Sequence, residues 1–176
     1  MITDKLVIFD YDGVIADSLV LWSRAFDIAG RINNISYRLD DESIRNLEHI
    51  TFGGILAQAG LSDAEIAPKY VEDVIKVFNS GSFDVRFFAG IDSLIKKIAG
   101  AGNLVCVNTA NNTLIVKNKL EAEGVLPYIR DIAGGDVKGS KSEKIIAFMK
   151  KFSFSPADTF MIGDSLGDIT EGSRAG

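Results

Sequence analysis

Leu6-Val7-Ile8-Phe9 is a run of four apolar residues that ends on Asp10, with Asp12 two positions on and Gly13 next. A run this short that is apolar throughout, rather than at every second residue, predicts a strand buried on both faces. Such strands lie inside parallel sheets. A parallel sheet obliges the chain to cross back between strands, and the crossing is usually a helix. The start of the chain therefore predicts an α/β protein, and the rest must supply the alternation.

It does so after a long detour. "DSLVLWSRAFDIAG" (residues 17–30) carries apolar residues at helical spacing, with Asp17 or Ser18 expected to cap its start and Gly30 to close it. The helical period continues through "DDESIRNLEHITFGGILAQAG" and "SDAEIAPKYVEDVIKVFN", with little strand signal. "NSGSFDVRFFAG" reads as the connector back. Helix (91–99), strand (103–107), helix (114–123) and a short strand in "YIRDIAGG" follow, then helix (142–152), the strand "DTFMIGD" and a last helix (165–175). Strands alternating with helices of this length mean βαβ crossovers. The reading is a three-layer, Rossmann-like parallel sheet core, residues 1–16 and 82–176, with an inserted all-helical lobe, residues 17–81.

The charge balance narrows the partners. A net charge of −5 argues against nucleic acid and anionic membranes. No apolar run approaches the roughly 18–20 residues of a membrane span, and "MITDKLVIFD" lacks a leader layout. Cys106 is the single cysteine, so no internal disulfide forms and a reducing cytoplasm fits. His49 is the single histidine, which disfavours a histidine triad or a histidine-rich metal site.

In parallel α/β sheets ligands bind beyond the carboxyl ends of the strands. The first exit carries Asp10 and Asp12, the second "NTANN" (108–112), and the fourth "GDSLGD" (163–168). "KGSKSEK" (138–144) precedes the helix leading to that fourth strand. Asp10 and Asp12, spaced i and i+2, can face one site from extended chain, and Gly13 permits a sharp turn after them. Asp164 and Asp168 lie about one helical turn apart. Hard oxygen ligands beside open space suit magnesium. The bland alternatives are acids ending a strand and Ser165 or Asp164 capping the last helix.

"FDYDGVIADS", "VNTANN", "KSEKI" and "MIGDSLGDI" together resemble the four ordered motifs of the haloacid dehalogenase-like hydrolase superfamily. The resemblance is closest to its phosphoglycolate phosphatase and β-phosphoglucomutase branch, which has a helical cap after the first strand. It implies roles for particular residues. Asp10 would be the nucleophile and Asp12 the general acid and base. Magnesium would be held by Asp10, the backbone carbonyl of Asp12, Asp164 and Asp168. Thr109, with the amide of Ala110, would bind a phosphoryl oxygen, and Lys141 would neutralise charge. Lys138 is the alternative for the lysine, and Asn108 the alternative for Thr109. A carboxylate at Asp12 favours phosphoryl transfer over attack on carbon.

The resemblance thus implies a magnesium-dependent phosphatase acting on a small phosphorylated metabolite. A sugar-phosphate phosphomutase and a non-catalytic regulatory protein of the same fold are the alternatives. Arg45 and His49, four apart on one helix face, stand where related caps reach the substrate, against the reading of a solvated charged face. Trp22 and Phe26 are expected to pack within the helical lobe, and Tyr11 and Cys106 to be buried. The family sheet continues past the point reached at Gly176. The fourth strand is therefore expected to be an edge, open to a further strand or to a second copy in a homo-oligomer.

Overall fold

The computed structural model describes residues 4–35, 56, 66–79 and 85–176. The chain divides into two units, Met1–Ala16 with Phe87–Gly176, and Asp17–Arg86.

In the first unit, β1 (Leu6–Phe9), β4 (Leu104–Asn108), β5 (Asp131–Ala133) and β6 (Thr159–Ile162) form a parallel sheet in the order β5-β4-β1-β6. All four residues of β1 are buried. Leu6 and Ile8 pack with Cys106 and with Ile145, Phe148 and Met149 of α5 (Lys141–Phe152). Val7 and Phe9 alternate to the opposite face and are buried there too. Burial on both faces explains why β1 reads as an unbroken apolar run. The remaining helices of this unit are α3 (Ile91–Gly100), α4 (Thr113–Ala122) and α6 (Leu166–Ala175). Tyr11 is buried edge-on to Phe87, and Cys106 is a buried free thiol, as expected.

Register sets the level at which each strand ends. Phe9 lies opposite Val107 on one side and Ile162 on the other, and Asn108 lies opposite Ala133. The sheet's bonding extends one residue past the strands, with Asp10 N–H donating to Ile162 O (2.8 Å) and Thr109 N–H to Ala133 O (3.0 Å). Asp10, Thr109 and the Gly163–Asp164 loop therefore leave the sheet at one level. The chain builds β1, β4 and β5 outward on one side, then returns to place β6 on the other, so β1 sits at the switch point where such sheets bind ligands. Among the described strands β6 is an outer one, with Phe160 and Ile162 exposed.

In the second unit, α1 (Leu19–Ile32) and α2 (Ile66–Asn79) pack through Leu21, Ala25, Phe26 and Ala29 against Tyr70, Val74 and Phe78. Trp22 stacks on Phe78, ring centroids 3.7 Å apart, and the Tyr70 hydroxyl donates to Phe26 O. The connecting segments are two short strands, β2 (Ala16–Asp17) and β3 (Arg86–Phe87), which pair with each other. Among the described residues, no helix is long and apolar enough to cross a membrane.

Both ends of α1 differ from expectation. Ser18 stands at the N-cap, but with φ −100° and ψ −11° it is in helical rather than extended conformation, and its side chain makes no capping bond. Gly30 does not end the helix: it is buried inside it. The stop lies at Asn33, whose side-chain amide donates to Ala29 O (2.9 Å), followed by Asn34 at φ 55°. Asparagine supplies both the orphan-carbonyl donor and the left-handed residue that glycine was expected to give.

Candidate active site

The strand exits meet around one lysine. Lys141 opens α5, and its Nζ lies 2.6 Å from Asp10 Oδ2 and 2.6 Å from Asp168 Oδ1. One carboxylate oxygen from each of Asp10, Asp164 and Asp168 lies within 4.8 Å of the other two. Asp10 and Asp168 are buried and Asp164 is exposed, so the cluster has an inner wall and an open side.

Each carboxylate is aimed by local structure. Asp10 Oδ1 accepts from the backbone N–H of Tyr11 (2.7 Å), which leaves Oδ2 for Lys141. Asp168 is the third residue of α6 and closes a capping box with Ser165. Its Oδ2 takes the Ser165 hydroxyl (2.6 Å), while its Oδ1 takes Lys141. The capping expected of "GDSLGD" is present with Ser165 as the cap, and Asp168 closes the box through one oxygen while the other reaches Lys141. Gly13 (φ 79°) and Gly163 let the loops close in. A Cβ on Gly163 would come within 2.3 Å of Asp168 Cβ.

Electrostatics follow from this crowding. Burial pushes the Asp10 carboxyl up to about 7, against the pull of Lys141 and with a further push from Asp168. Asp164 is also raised, by desolvation first and by repulsion from Asp168 and Asp12. Burial raises Asp168 too, but the hydrogen bonds from Lys141 and Ser165 outweigh it and hold it below the usual carboxylate range. Burial lowers Lys141, but Asp10 and Asp168 together keep it above its ordinary value. A set of acids that one lysine does not fully compensate fits a divalent cation with hard oxygen ligands.

Thr109 is buried at the exit of β4, and its hydroxyl oxygen accepts from Asn111 N–H (3.0 Å). Its proton is then the part left to give to a ligand. Ala110 is exposed beside it. Asp12 accepts from the Asn111 side-chain amide (3.2 Å). Lys138 is exposed and lines a groove with Asp131, Lys144 and Lys151 that includes none of Asp10, Asp164 and Asp168, whereas Lys141 pairs with two of them. Asn108 is fully buried, and its amide donates to Lys141 O (2.9 Å). Arg45, His49 and Thr51–Gly54 lie outside the described residues. Sequence reading did not single out Asn111 or Glu171, the latter accepting from Ser142 N–H (2.9 Å). Their bonds span distant segments, and no local spacing announces them.

Residues 7–176 match the family model described as haloacid dehalogenase-like hydrolase. A phosphoglycolate phosphatase of Vibrio vulnificus is 25% identical over 186 residues, covering 98% of this chain and 80% of the relative. One from Psychrobacter arcticus is 24% identical over 189 residues, covering 97% and 80%. Among solved structures, a predicted phosphoglycolate phosphatase from Haemophilus somnus superposes with a TM-score of 0.83 at 17% identity, covering 99% of this chain and 83% of its own. A haloacid dehalogenase-like family hydrolase from Streptococcus pneumoniae gives 0.82 at 16% identity, covering 97% and 80%.

Proposed function

Because the chain belongs to the haloacid dehalogenase-like hydrolase family and is an enzyme of phosphatase type within it, we propose that it hydrolyses a small phosphate monoester through an aspartyl-phosphate on Asp10. The observation that carries this reading is the convergence of Asp10, Lys141, Asp164 and Asp168 at the exits of β1 and β6, with Thr109 level with them.

A carboxylate of Asp10 attacks phosphorus, the bond from phosphorus to the ester oxygen breaks, and Asp12 gives that oxygen a proton. Asp12, now a carboxylate, takes a proton from water. The water oxygen attacks phosphorus, the bond to Asp10 breaks, and inorganic phosphate leaves. Lys141 balances the negative charge that gathers on Asp10 and the phosphoryl oxygens, and the Thr109 hydroxyl donates to one of them. Asp10, Asp164 and Asp168, with the carbonyl of Asp12, would hold magnesium. When bound, magnesium supplies the positive charge that lets a carboxylate approach a phosphate dianion.

The substrate class is that of phosphoglycolate or a sugar phosphate. The names of the relatives support it. Residues 17–81 serve as the cap domain, with Arg45 and His49 as candidate substrate contacts. The test is phosphate release from a panel of monoesters with and without magnesium. Magnesium-dependent release is the expected result. Isomerisation of a sugar monophosphate without release would turn the reading to a phosphomutase, and no turnover would turn it to a regulatory protein.

A further inference from the structure

The peptide group between Lys141 and Ser142 is held from both sides. Its carbonyl accepts from the Asn108 side-chain amide at 2.9 Å, and its N–H donates to Glu171 Oε2 at 2.9 Å. We propose that Glu171 and Asn108 are positioning residues for Lys141, gripping this peptide so that the ammonium group falls between Asp10 and Asp168. The proposal rests on the hydrolase function proposed for this site, in which Lys141 acts on the phosphoryl group.

Lys141 and Ser142 open α5, where backbone N–H groups have no acceptor within the helix. Ser140 caps this helix in the ordinary way, but its side chain takes the N–H of Glu143. The N–H of Ser142 goes to a different helix, to Glu171, one turn beyond Asp168 on α6. The other carboxylate oxygen of Glu171 is paired with Arg174, one turn further along α6, which leaves Oε2 to Ser142. On the other side, Asn108 ends β4 and is fully buried next to Thr109. Reversing its amide would set two oxygens against each other across 2.9 Å, so the donor is the group that faces Lys141 O. The segments that present Thr109, Lys141 and Asp168 therefore meet at a single peptide group. A lysine on a flexible four-carbon stem gains its direction from its backbone, and here that backbone is fixed by two other parts of the site.

A merely structural cap would stabilise α5 without affecting what Lys141 does. Glu143→Ala separates the two, because it removes the carboxylate that accepts the Ser140 N–H in the capping box of the same helix, whereas Ser140 itself touches the clamp through its hydroxyl, 3.0 Å from that of Ser142. The experiment compares wild type, Glu171→Ala, Glu171→Gln, Asn108→Ala and Glu143→Ala in two ways. The first is kcat and KM for p-nitrophenyl phosphate with magnesium. The second is the rate of Lys141 acylation by an amine-reactive ester in metal-free protein, read by peptide mass spectrometry. Glu171→Ala and Asn108→Ala should each lower kcat about tenfold with KM nearly unchanged, and should raise Lys141 acylation severalfold. Combining them should cost less than the product of the two, since both act on one peptide. Glu171→Gln keeps an acceptor oxygen and should restore kcat to within about threefold of wild type. Glu143→Ala should lower Tm but leave kcat and acylation close to wild type. Unchanged acylation in both Glu171→Ala and Asn108→Ala, or an equal change in Glu143→Ala, overturns the proposal. If wild type hydrolyses no ester, the hydrolase reading falls, and the acylation comparison still decides the clamp.

Discussion

A methyl group on Gly13 would fall 2.0 Å from Oδ2 of Asp164. The turn after Asp12 and the loop after β6 thus come together at a point where a side chain on Gly13 would collide with that of Asp164. Gly13 is also at φ 79°, which other residues adopt at a cost.

Gly13→Ala should therefore displace Asp164 rather than simply strain the turn. The expected result is a rise of about tenfold or more in the magnesium concentration for half-maximal activity, with a loss of about 1–3 kcal/mol in stability. Magnesium titration of the initial rate and thermal unfolding check this. An unaltered magnesium dependence would show that the Asp164 loop can shift without consequence.

Lys141 and Lys138 should differ sharply. Lys141→Ala leaves Asp10 and Asp168 without their shared cation and should lower kcat by about two orders of magnitude or more. Lys138 is exposed and makes no contact with the carboxylate cluster, so Lys138→Ala should stay within about threefold of wild type. Steady-state kinetics of the two variants give the ranking, and a reversed order would move the phosphate-site lysine to Lys138.

Much of the fold and site was legible from the chain alone, for a physical reason. β1 is buried on both faces, and that leaves the apolar signature of Leu6–Phe9. Parallel register then forces its exit, and the exits of β4 and β6, to one level, so residues at those exits must be neighbours. Asp10, Asp164 and Asp168 could be grouped on that basis, whereas Lys141, at the start of a helix, rests on the family resemblance, with Lys138 as its alternative. The bonds of Asn108, Asn111 and Glu171 could not. Each joins side chains or backbone 29 to 99 positions apart, and an asparagine in a loop or a glutamate on a helix looks the same whether it holds a neighbour or faces water. The end of α1 was misread for a related reason. Gly30 can serve as a terminator or as a buried position inside a helix, and its sequence neighbours do not tell the two uses apart.

Asn111 offers a further test. Its side-chain amide donates to Asp12 at 3.2 Å, and its backbone N–H donates to Thr109, so it ties the Asp12 carboxylate to the Thr109 hydroxyl. Asn111→Ala should lower kcat severalfold, roughly 3–10-fold, with little change in KM. Asn111→Asp places a second carboxylate against Asp12 and should cost more, about another tenfold. Equal effects from the two substitutions would mean that the contact with Asp12 is incidental.

The strongest electrostatic consequence concerns Asp10 in metal-free protein. Burial raises its carboxyl from an ordinary value near 4 to about 7. The sign follows from proton binding. Between these values the folded chain holds a proton on Asp10 that the unfolded chain has lost. Stability from this group is therefore fully present below pH 4 and is lost as pH rises through 7. Asp10→Asn removes the titration but keeps the shape. Above pH 7 the variant should be more stable than wild type, by about 1–3 kcal/mol once the lost pairing with Lys141 is allowed for. Near pH 4 the advantage should shrink towards zero. Turnover should meanwhile fall by several orders of magnitude, because an amide cannot form the phosphoryl intermediate. Magnesium should narrow the gap at high pH by stabilising wild type more than the variant. Denaturant unfolding of both proteins between pH 4 and 8, with and without magnesium, measures each part. A stability difference that is flat across this range would mean that Asp10 is already ionised throughout, and that its surroundings are better solvated than its burial implies.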